Sequence, residues 1–402
     1  MKICIFTETY YPVIGGGETQ SRLLAEKLID DGHSVIILTR RSDKALRKHE
    51  HYGELDVFRL APVGSGQLKK WGLVLSSIPA LIRLRDQYDL IFVSGYRIIG
   101  LTAVLIGKLF RKPIVLKADS QGEMSGEFFE SGLRNFRISR SSLVFRLFLK
   151  IRNAILKKAD AFSAISPDIA AEWTSSGVSL HKIRLIPNGV DTDCFVPASA
   201  EQKTILRQKL SLPETALIAI YTGRLVSYKG LPLLLKAWNE IRRKHQNALL
   251  ILAGTGGLDI HNCEDALREY VRVNRLEQYV LFTGAVQNVA EYLQASDLFA
   301  FPTEDDAFPS SVVEAMACGL PVVTTPVGAI KHIVKDGDTG VLVQPSNFTQ
   351  LFEALDIILS NKEIGSRLAK TASRSVQDLY SAEIVSKNYL TLFQGLIDPT
   401  KA

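Results

Sequence analysis

The chain has 402 residues, 46% of them hydrophobic and 22% charged, with a net charge of +6. This composition is globular, ample for a large core, and the length exceeds one ordinary domain, so about two to three domains are expected. The charge is uneven: residues 1–190 hold 28 Lys and Arg against 18 Asp and Glu, and residues 191–402 hold 20 against 24. A basic N-terminal half points to an anionic partner, membrane lipid or an anionic acceptor before nucleic acid.

In chain order, Lys2–Thr7 is a buried strand running into a Pro turn, without the regions of a signal peptide. Gly15–Gly16–Gly17 then precedes a helical pattern with Leu23, Leu24 and Leu28, and Val35–Thr39 is a second strand. Glycines before a first helix let backbone N–H groups approach a phosphate or sugar; the alternative is a flexible loop. The spacing is not GxGxxG, which weighs against a nicotinamide cofactor. Strands at 54–60, 89–93 and 113–117 alternate with helices at 73–84 and 99–109. The longest apolar run, around 72–84, is broken by Pro79 and Arg83 and falls short of a membrane span. Asp119 closes a strand at its C-terminal end, where open α/β sheets bind ligands.

Residues 131–159 contain no acid and carry Arg134, Arg137, Arg140, Arg146, Lys150, Arg152, Lys157 and Lys158. Val144, Phe148, Ile151 and Ile155 fall on one helical face, with Arg146, Lys150, Asn153 and Lys157 on another. Such a basic amphipathic helix over 134–158 suits an anionic bilayer; it equally suits a helix covering the sheet with a solvated basic face. The turn-rich segment from Asn188 to Pro197 is the domain boundary, and its Asp191–Thr192–Asp193 triplet reads as turn chemistry rather than a metal site. The four scattered cysteines show no metal spacing and read as reduced thiols. A cytoplasmic protein is expected, peripheral on the inner face of the membrane if the basic helix docks there.

The second half restarts the alternation. Strand 217–222 leads into a loop with Arg224 and Lys229, two cations that can neutralise a diphosphate. Strand 249–253 ends in a second glycine turn, and strand 280–283 is closed by Gly284–Ala285–Val286. Residues 303–325 then read as loop, short helix and strand, with Ser310 or Ser311 as N-cap and Gly319 at the C-terminus. The helix start offers free N–H groups to a phosphate, with Asp306 before it and Glu314 one turn inside. A carboxylate in so apolar a helix is costly without a partner.

These segments together resemble glycosyltransferase family 4, retaining enzymes of the GT-B fold. The matching pieces are GGGETQ, IPNGVDTDCF, GRLVSYKG, AGTGG, FTGAV, DDAFPSSVVEAMACGLPVV and DGDTGVLV, in the family's order and over nearly the whole chain. The resemblance implies an α/β protein with two Rossmann-like domains facing a central cleft. Residues 1–188 would bind the acceptor, with a C-terminal helix of about 382–402 packing back on them, and 189–381 would bind the nucleotide-sugar donor. Arg224 and Lys229 would take the donor diphosphate and Glu314 the ribose. Asp306 would contact the sugar, as the first acid of the family's E-x7-E pattern. Gly16 and Gly17 match the phosphate-side loop, Val286 a backbone contact to the base, and Phe308, Pro309, Ser310 and Ser311 the cradle for sugar and diphosphate.

Three departures bear on sugar identity. Asp306 stands where Glu is usual, Asp119 about where a strand-end His is common, and His332 where Glu is usual, with Ala329 in place of a common Gly. The implied reaction moves a hexosyl-type sugar from a UDP- or GDP-sugar to a saccharide or lipid-linked saccharide. It retains configuration and needs neither metal nor cofactor, since cations and a helix end stabilise the leaving diphosphate. Cell-surface polysaccharide or glycolipid synthesis is the implied setting. Two competing readings are a nucleotide-sugar 2-epimerase using Asp119 and His332, and a non-catalytic scaffold acting through the basic helix. The first is tested by donor alone, and the second is disfavoured by retention of Arg224, Lys229, Asp306 and Glu314.

Overall fold

The computed structural model describes residues 1–13, 15–64, 67–129, 139, 141–257 and 259–398. The chain divides into two compact units, residues 1–189 with 382–402, and residues 190–381. The sequence places the division after residue 188 and assigns the last helix to the first unit.

The first unit carries strands β1 (Lys2–Thr7), β2 (Ser34–Arg40), β3 (His49–Tyr52), β4 (Leu55–Leu60), β5 (Leu90–Ser94), β6 (Ile114–Lys117), β7 (Ala161–Ala164) and β8 (Ile183–Leu185). They form one sheet in the order β3-β4-β2-β1-β5-β6-β7-β8, parallel except for β3 against β4. Its helices are α1 (Gly16–Asp30), α2 (Gln67–Arg83), α3 (Ile99–Leu109), α4 (Leu143–Leu156) and α5 (Pro167–Ser175), closed by the C-terminal α14 (Ala382–Ile397). Runs such as Ile3–Phe6 and Leu90–Val93 are wholly buried, as expected of parallel strands covered on both faces. The short strand β3 escapes sequence reading because HEHY has no apolar alternation; its pairing with β4 is a backbone matter.

Helix α14 packs on α1. Its Tyr389 hydroxyl lies 2.8 Å from Ser163 Oγ, and its ring meets Phe92 edge-on at 5.1 Å. Gln20 exchanges two hydrogen bonds of 2.8 Å with the Gly189 backbone, fixing the end of the unit to α1. A Cβ on Gly189 would stand 3.2 Å from the Ala382 backbone, so the first-unit chain end and the returning helix touch closely.

Helix α4 divides the face that its periodicity groups together: Phe148 and Ile155 are half-buried, whereas Val144 and Ile151 are exposed. Phe145, Arg152 and Leu156 point inward. Arg152 is held there by its partners. Its Nε donates to the Arg97 carbonyl (2.6 Å), Nη1 donates to Asn153 Oδ1 (2.7 Å), and its guanidinium lies over the Phe129 ring. A guanidinium with this many partners can be buried. Arg134, Arg137 and Arg140 of the basic stretch lie outside the described residues.

The second unit holds β9 (Leu217–Thr222), β10 (Ala248–Ala253), β11 (Val280–Gly284), β12 (Leu298–Phe301), β13 (Val322–Thr324) and β14 (Val341–Leu342). The sheet order is β11-β10-β9-β12-β13-β14, parallel throughout. Order reverses between β9 and β12, so the loops after these strands flank a switch point at the carboxyl edge, where such sheets bind ligands. Its helices are α6 (Ala200–Lys209), α7 (Leu231–Lys244), α8 (Glu264–Val273), α9 (Val289–Ala295), α10 (Ser310–Ala317), α11 (Ile330–Ile333), α12 (Phe348–Ser360) and α13 (Lys362–Leu379). Among the described residues no helix is long and apolar enough to cross a membrane.

Candidate functional site

In the second unit, backbone packing places the charges. After β9 the chain makes a short turn, Ser227–Lys229, and enters α7 through Gly230 at φ +71°. A Cβ there would lie 1.9 Å from the Pro302 carbonyl oxygen, so only glycine lets this turn sit against the end of β12. Lys229 is thereby buried, and its Nζ donates to Asp306 Oδ2 (2.9 Å) and to the Asp305 carbonyl (2.8 Å). Its ammonium also stands 4.9 Å from the Tyr228 ring centroid. Arg224 is more open. It donates to the Tyr228 hydroxyl (2.8 Å) and pairs with Asp259.

The loop from β12 to α10 is held from beneath. Thr303 Oγ1 donates to the Asp305 carbonyl (2.9 Å), and Asp306 Oδ1 accepts from the Phe308 N–H (3.2 Å). Gly328, at φ +50°, lies under this loop; a Cβ there would stand 1.7 Å from the Asp306 carbonyl oxygen. The structure therefore brings Lys229 and Asp306 into contact and places Arg224 one short turn away. Val286 follows in the turn past β11, on the same edge of the sheet.

The helix start differs from the sequence reading. Pro309, not Ser310 or Ser311, occupies the N-cap, and no side chain caps the helix. Pro309 enters with φ −79° and its carbonyl accepts from Val312 (3.1 Å), so the fixed ring sets the entry and leaves the serine side chains unused by the cap. Phe308 is buried and faces Tyr380.

Glu314 lacks the partner that its position demands. Among the described residues its carboxyl group makes no hydrogen bond or ion pair, and burial pushes that group up to about 7. The Asp191 carboxylate of the boundary triplet accepts from the Asp193 (3.0 Å) and Cys194 (3.3 Å) N–H groups, a turn of the chain.

In the first unit, charges are placed by other charges. Asp119 Oδ1 takes Lys117 Nζ (3.0 Å) and the Ser94 hydroxyl (3.3 Å). Asp119 Oδ2 would meet a Cβ on Gly95 at 2.5 Å and one on Gly17 at 3.1 Å. Gly17 thus makes room for Asp119, whereas a Cβ on Gly16 would meet nothing within 4 Å. Behind Asp119, Glu123 Oε1 receives the Arg97 Nε (3.0 Å) and the Ser120 N–H (3.2 Å). Complete burial pushes Glu123 up to about 7 against the pull of Arg97. Burial works against the Arg97 charge too, but Glu123 and Asp119 outweigh it and hold that guanidinium above its ordinary range.

Lys117, Arg97 and Glu123 in this unit, and Asp259 and Tyr228 in the other, escape sequence reading. Only Lys117 carries a signal there, a lysine inside an otherwise apolar strand. Among the described residues, one cluster has metal-ligand geometry: His49, His51 and Asp56 on the β3–β4 hairpin. Asp56 Oδ1 already engages His49 (2.8 Å) and His51 (2.5 Å), and none of the three belongs to either site above.

Two such α/β units, each on a mainly parallel sheet, have the architecture of the GT-B fold class. Residues 202–375 match the family described as glycosyl transferases group 1, and residues 14–194 match glycosyltransferase family 4. The chain belongs to this family of group 1 glycosyltransferases. It is 24% identical to the N-acetyl-alpha-D-glucosaminyl L-malate synthase of Bacillus anthracis, covering 98% of this chain and 97% of that protein. Among solved structures, sucrose-phosphate synthase from Thermosynechococcus elongatus shares the fold with a TM-score of 0.79 and 24% identity, over 99% of this chain and 100% of that one. HepE of Anabaena, solved in complex with UDP-glucose, gives a TM-score of 0.75 and 19% identity, over 98% of this chain and 100% of that one.

Proposed function

We propose that this glycosyltransferase moves a hexosyl-type sugar from a UDP- or GDP-sugar to a hydroxyl of a saccharide or lipid-linked saccharide, with retention of configuration. The observation that carries this is the buried Lys229, set against the end of β12 by Gly230 and aimed at the loop before α10. An ammonium so placed is desolvated before the donor arrives, and a diphosphate gains more from it than from a solvated lysine. Arg224 supplies a planar fork to the same group, and the α10 N–H groups supply dipoles. As the glycosidic bond breaks, negative charge grows on the diphosphate and these groups stabilise it without a metal. Asp306 holds Lys229 in place and presents its carboxylate to the sugar. Glu314, short of partners, accepts from ribose hydroxyls, which favours its ionised form. Val286 meets the base through its backbone, and the backbone of Phe308, Pro309, Ser310 and Ser311 lines the sugar and diphosphate.

The first unit takes the acceptor. Asp119, steadied by Lys117 and Ser94 and set against Gly17, is the group there best suited to bind a hydroxyl, with Gly16 leaving open space beside it. The basic character of this half supports an acceptor held at an anionic membrane surface, in cell-surface polysaccharide or glycolipid synthesis. The relative that joins N-acetylglucosamine to malate and the UDP-glucose complex of HepE support the donor class.

The test is a transfer assay against a panel of UDP- and GDP-sugars, with the product anomer read by NMR and a chelator arm. Retained configuration and transfer that survives the chelator support the reading. Inversion, full loss with the chelator, or an epimer formed from donor alone overturns it.

A further inference from the structure

We propose that the outer faces of α2, α3 and α4 form one surface that docks on an anionic lipid bilayer. Three observations carry it. First, α4 is apolar on two sides: it buries Phe145, Arg152 and Leu156, and it also exposes an apolar stripe, Leu143 (81% exposed), Val144 (76%), Leu147 and Ile151. A helix that only covers a sheet turns its apolar side inward. Second, the stripe continues onto its neighbours. The helices pack in the order α2, α3, α4. Trp71 and Leu75 stand exposed on α2, and Leu105 and Leu109 on α3. The Trp71 ring meets Phe148 of α4 edge-on at 5.9 Å, so the outer helices join directly. Contiguous exposed apolar area of this kind marks an interaction surface.

Third, its charge has one sign. None of the three helices contains an Asp or Glu. Arg146 and Lys150 rise exposed beside the stripe on α4. Among the described residues, acids stand at the margin. Asp160 pairs with Lys108 at 2.5 Å and Asp86 with Arg85 at 3.7 Å, and Glu127 lies in the short turn that precedes the basic stretch.

This charge pattern selects the occupant. A second copy would meet the surface by a two-fold axis and set cations against cations. An anionic bilayer offers apolar depth for Leu, Ile and Trp and phosphate for Arg and Lys. The proposal deepens the reading of a membrane-held acceptor, but lipid binding is measured without any sugar substrate, so either can fail alone.

The experiment is co-sedimentation of the full chain with phosphatidylcholine vesicles, with and without phosphatidylglycerol. Binding is expected only with the anionic lipid. It should fall about tenfold in Leu147→Gln/Ile151→Gln and in Arg146→Gln/Lys150→Gln, and weaken with salt. All four positions are exposed, and thermal melting checks that each variant folds. Trp71 gives a second readout. The chain has three tryptophans, and Trp173 and Trp238 are fully buried. Lipid brominated in its acyl chains should therefore quench a signal that disappears in Trp71→Phe. Failure to bind anionic vesicles, or binding indifferent to both double variants, overturns the proposal. So does self-association in solution that the apolar double variant abolishes, since that assigns the surface to a second copy.

Discussion

The two units place the charges of their candidate sites by different means. In the second, Lys229 and Asp306 are set by backbone contact: Gly230 lies on the Pro302 carbonyl and Gly328 on that of Asp306. In the first, Asp119 is set by a chain of ions, Lys117 on one side and Arg97 with Glu123 behind. Backbone contacts hold one geometry and tolerate little change, which suits a group of fixed shape such as a diphosphate. An ion network can be rebuilt with other side chains, which suits a site whose partner varies within a family.

Four substitutions break or sharpen this contrast. Arg97→Met should cost the most, about 3–5 kcal/mol of unfolding free energy, because it leaves Glu123 buried without its cation. A denaturant titration measures it, and adding Glu123→Leu should recover much of the loss. A loss under 1 kcal/mol would show that the first unit does not depend on its ions. Lys229→Ala should lower kcat/KM by about 10²–10³, roughly 3–4 kcal/mol, at a temperature where thermal melting shows the variant still folded, since the change also breaks its pair with Asp306. Unaltered transfer sinks the diphosphate assignment.

Gly230→Ala should destabilise by about 2–3 kcal/mol, since its Cβ has no room and φ is positive. Activity should fall with it, because Lys229 moves. If thermal melting and transfer both stay intact, backbone contact is not what fixes this site.

The smallest expected effect has the opposite sign. Burial holds Glu314 protonated up to about 7, against an ordinary value of 4.5. Over that window the folded protein keeps a proton that the unfolded chain releases, so this residue's contribution to stability falls as pH rises. Glu314→Gln should therefore stabilise by about 1–3 kcal/mol at pH 8, with the gain vanishing toward pH 4, while weakening nucleotide binding. Urea unfolding at the two pH values and titration with UDP or GDP check both halves. A variant no more stable than the parent at pH 8 would mean that the carboxylate is already compensated.

Much of this protein is legible in its sequence because the signals are local. Alternating apolar runs, the glycines before the first helix and the turn-rich boundary near Asn188 follow from backbone sterics and solvation within a few residues. Arg224, Lys229 and Asp306 sit in loops and turns whose glycines and prolines announce them, and Glu314 stands out as the one acid in an apolar short helix. What the sequence leaves hidden is contact between distant segments. That Gly17 makes room for Asp119, that Arg97 backs it through Glu123, and that Asp259 holds Arg224 are decided by strand order, which places together loops far apart in the chain. Helix α4 shows the limit most plainly. Its periodicity groups Val144, Phe148, Ile151 and Ile155 on one face and leaves open whether that face meets the core or the outside. Buried Phe145, Leu156 and Arg152, the last with partners on the turn after β5 and a neighbouring loop, leave Val144 and Ile151 exposed. Periodicity records which residues share a face. Which face is buried depends on what waits beneath it, and only the assembled sheet supplies that.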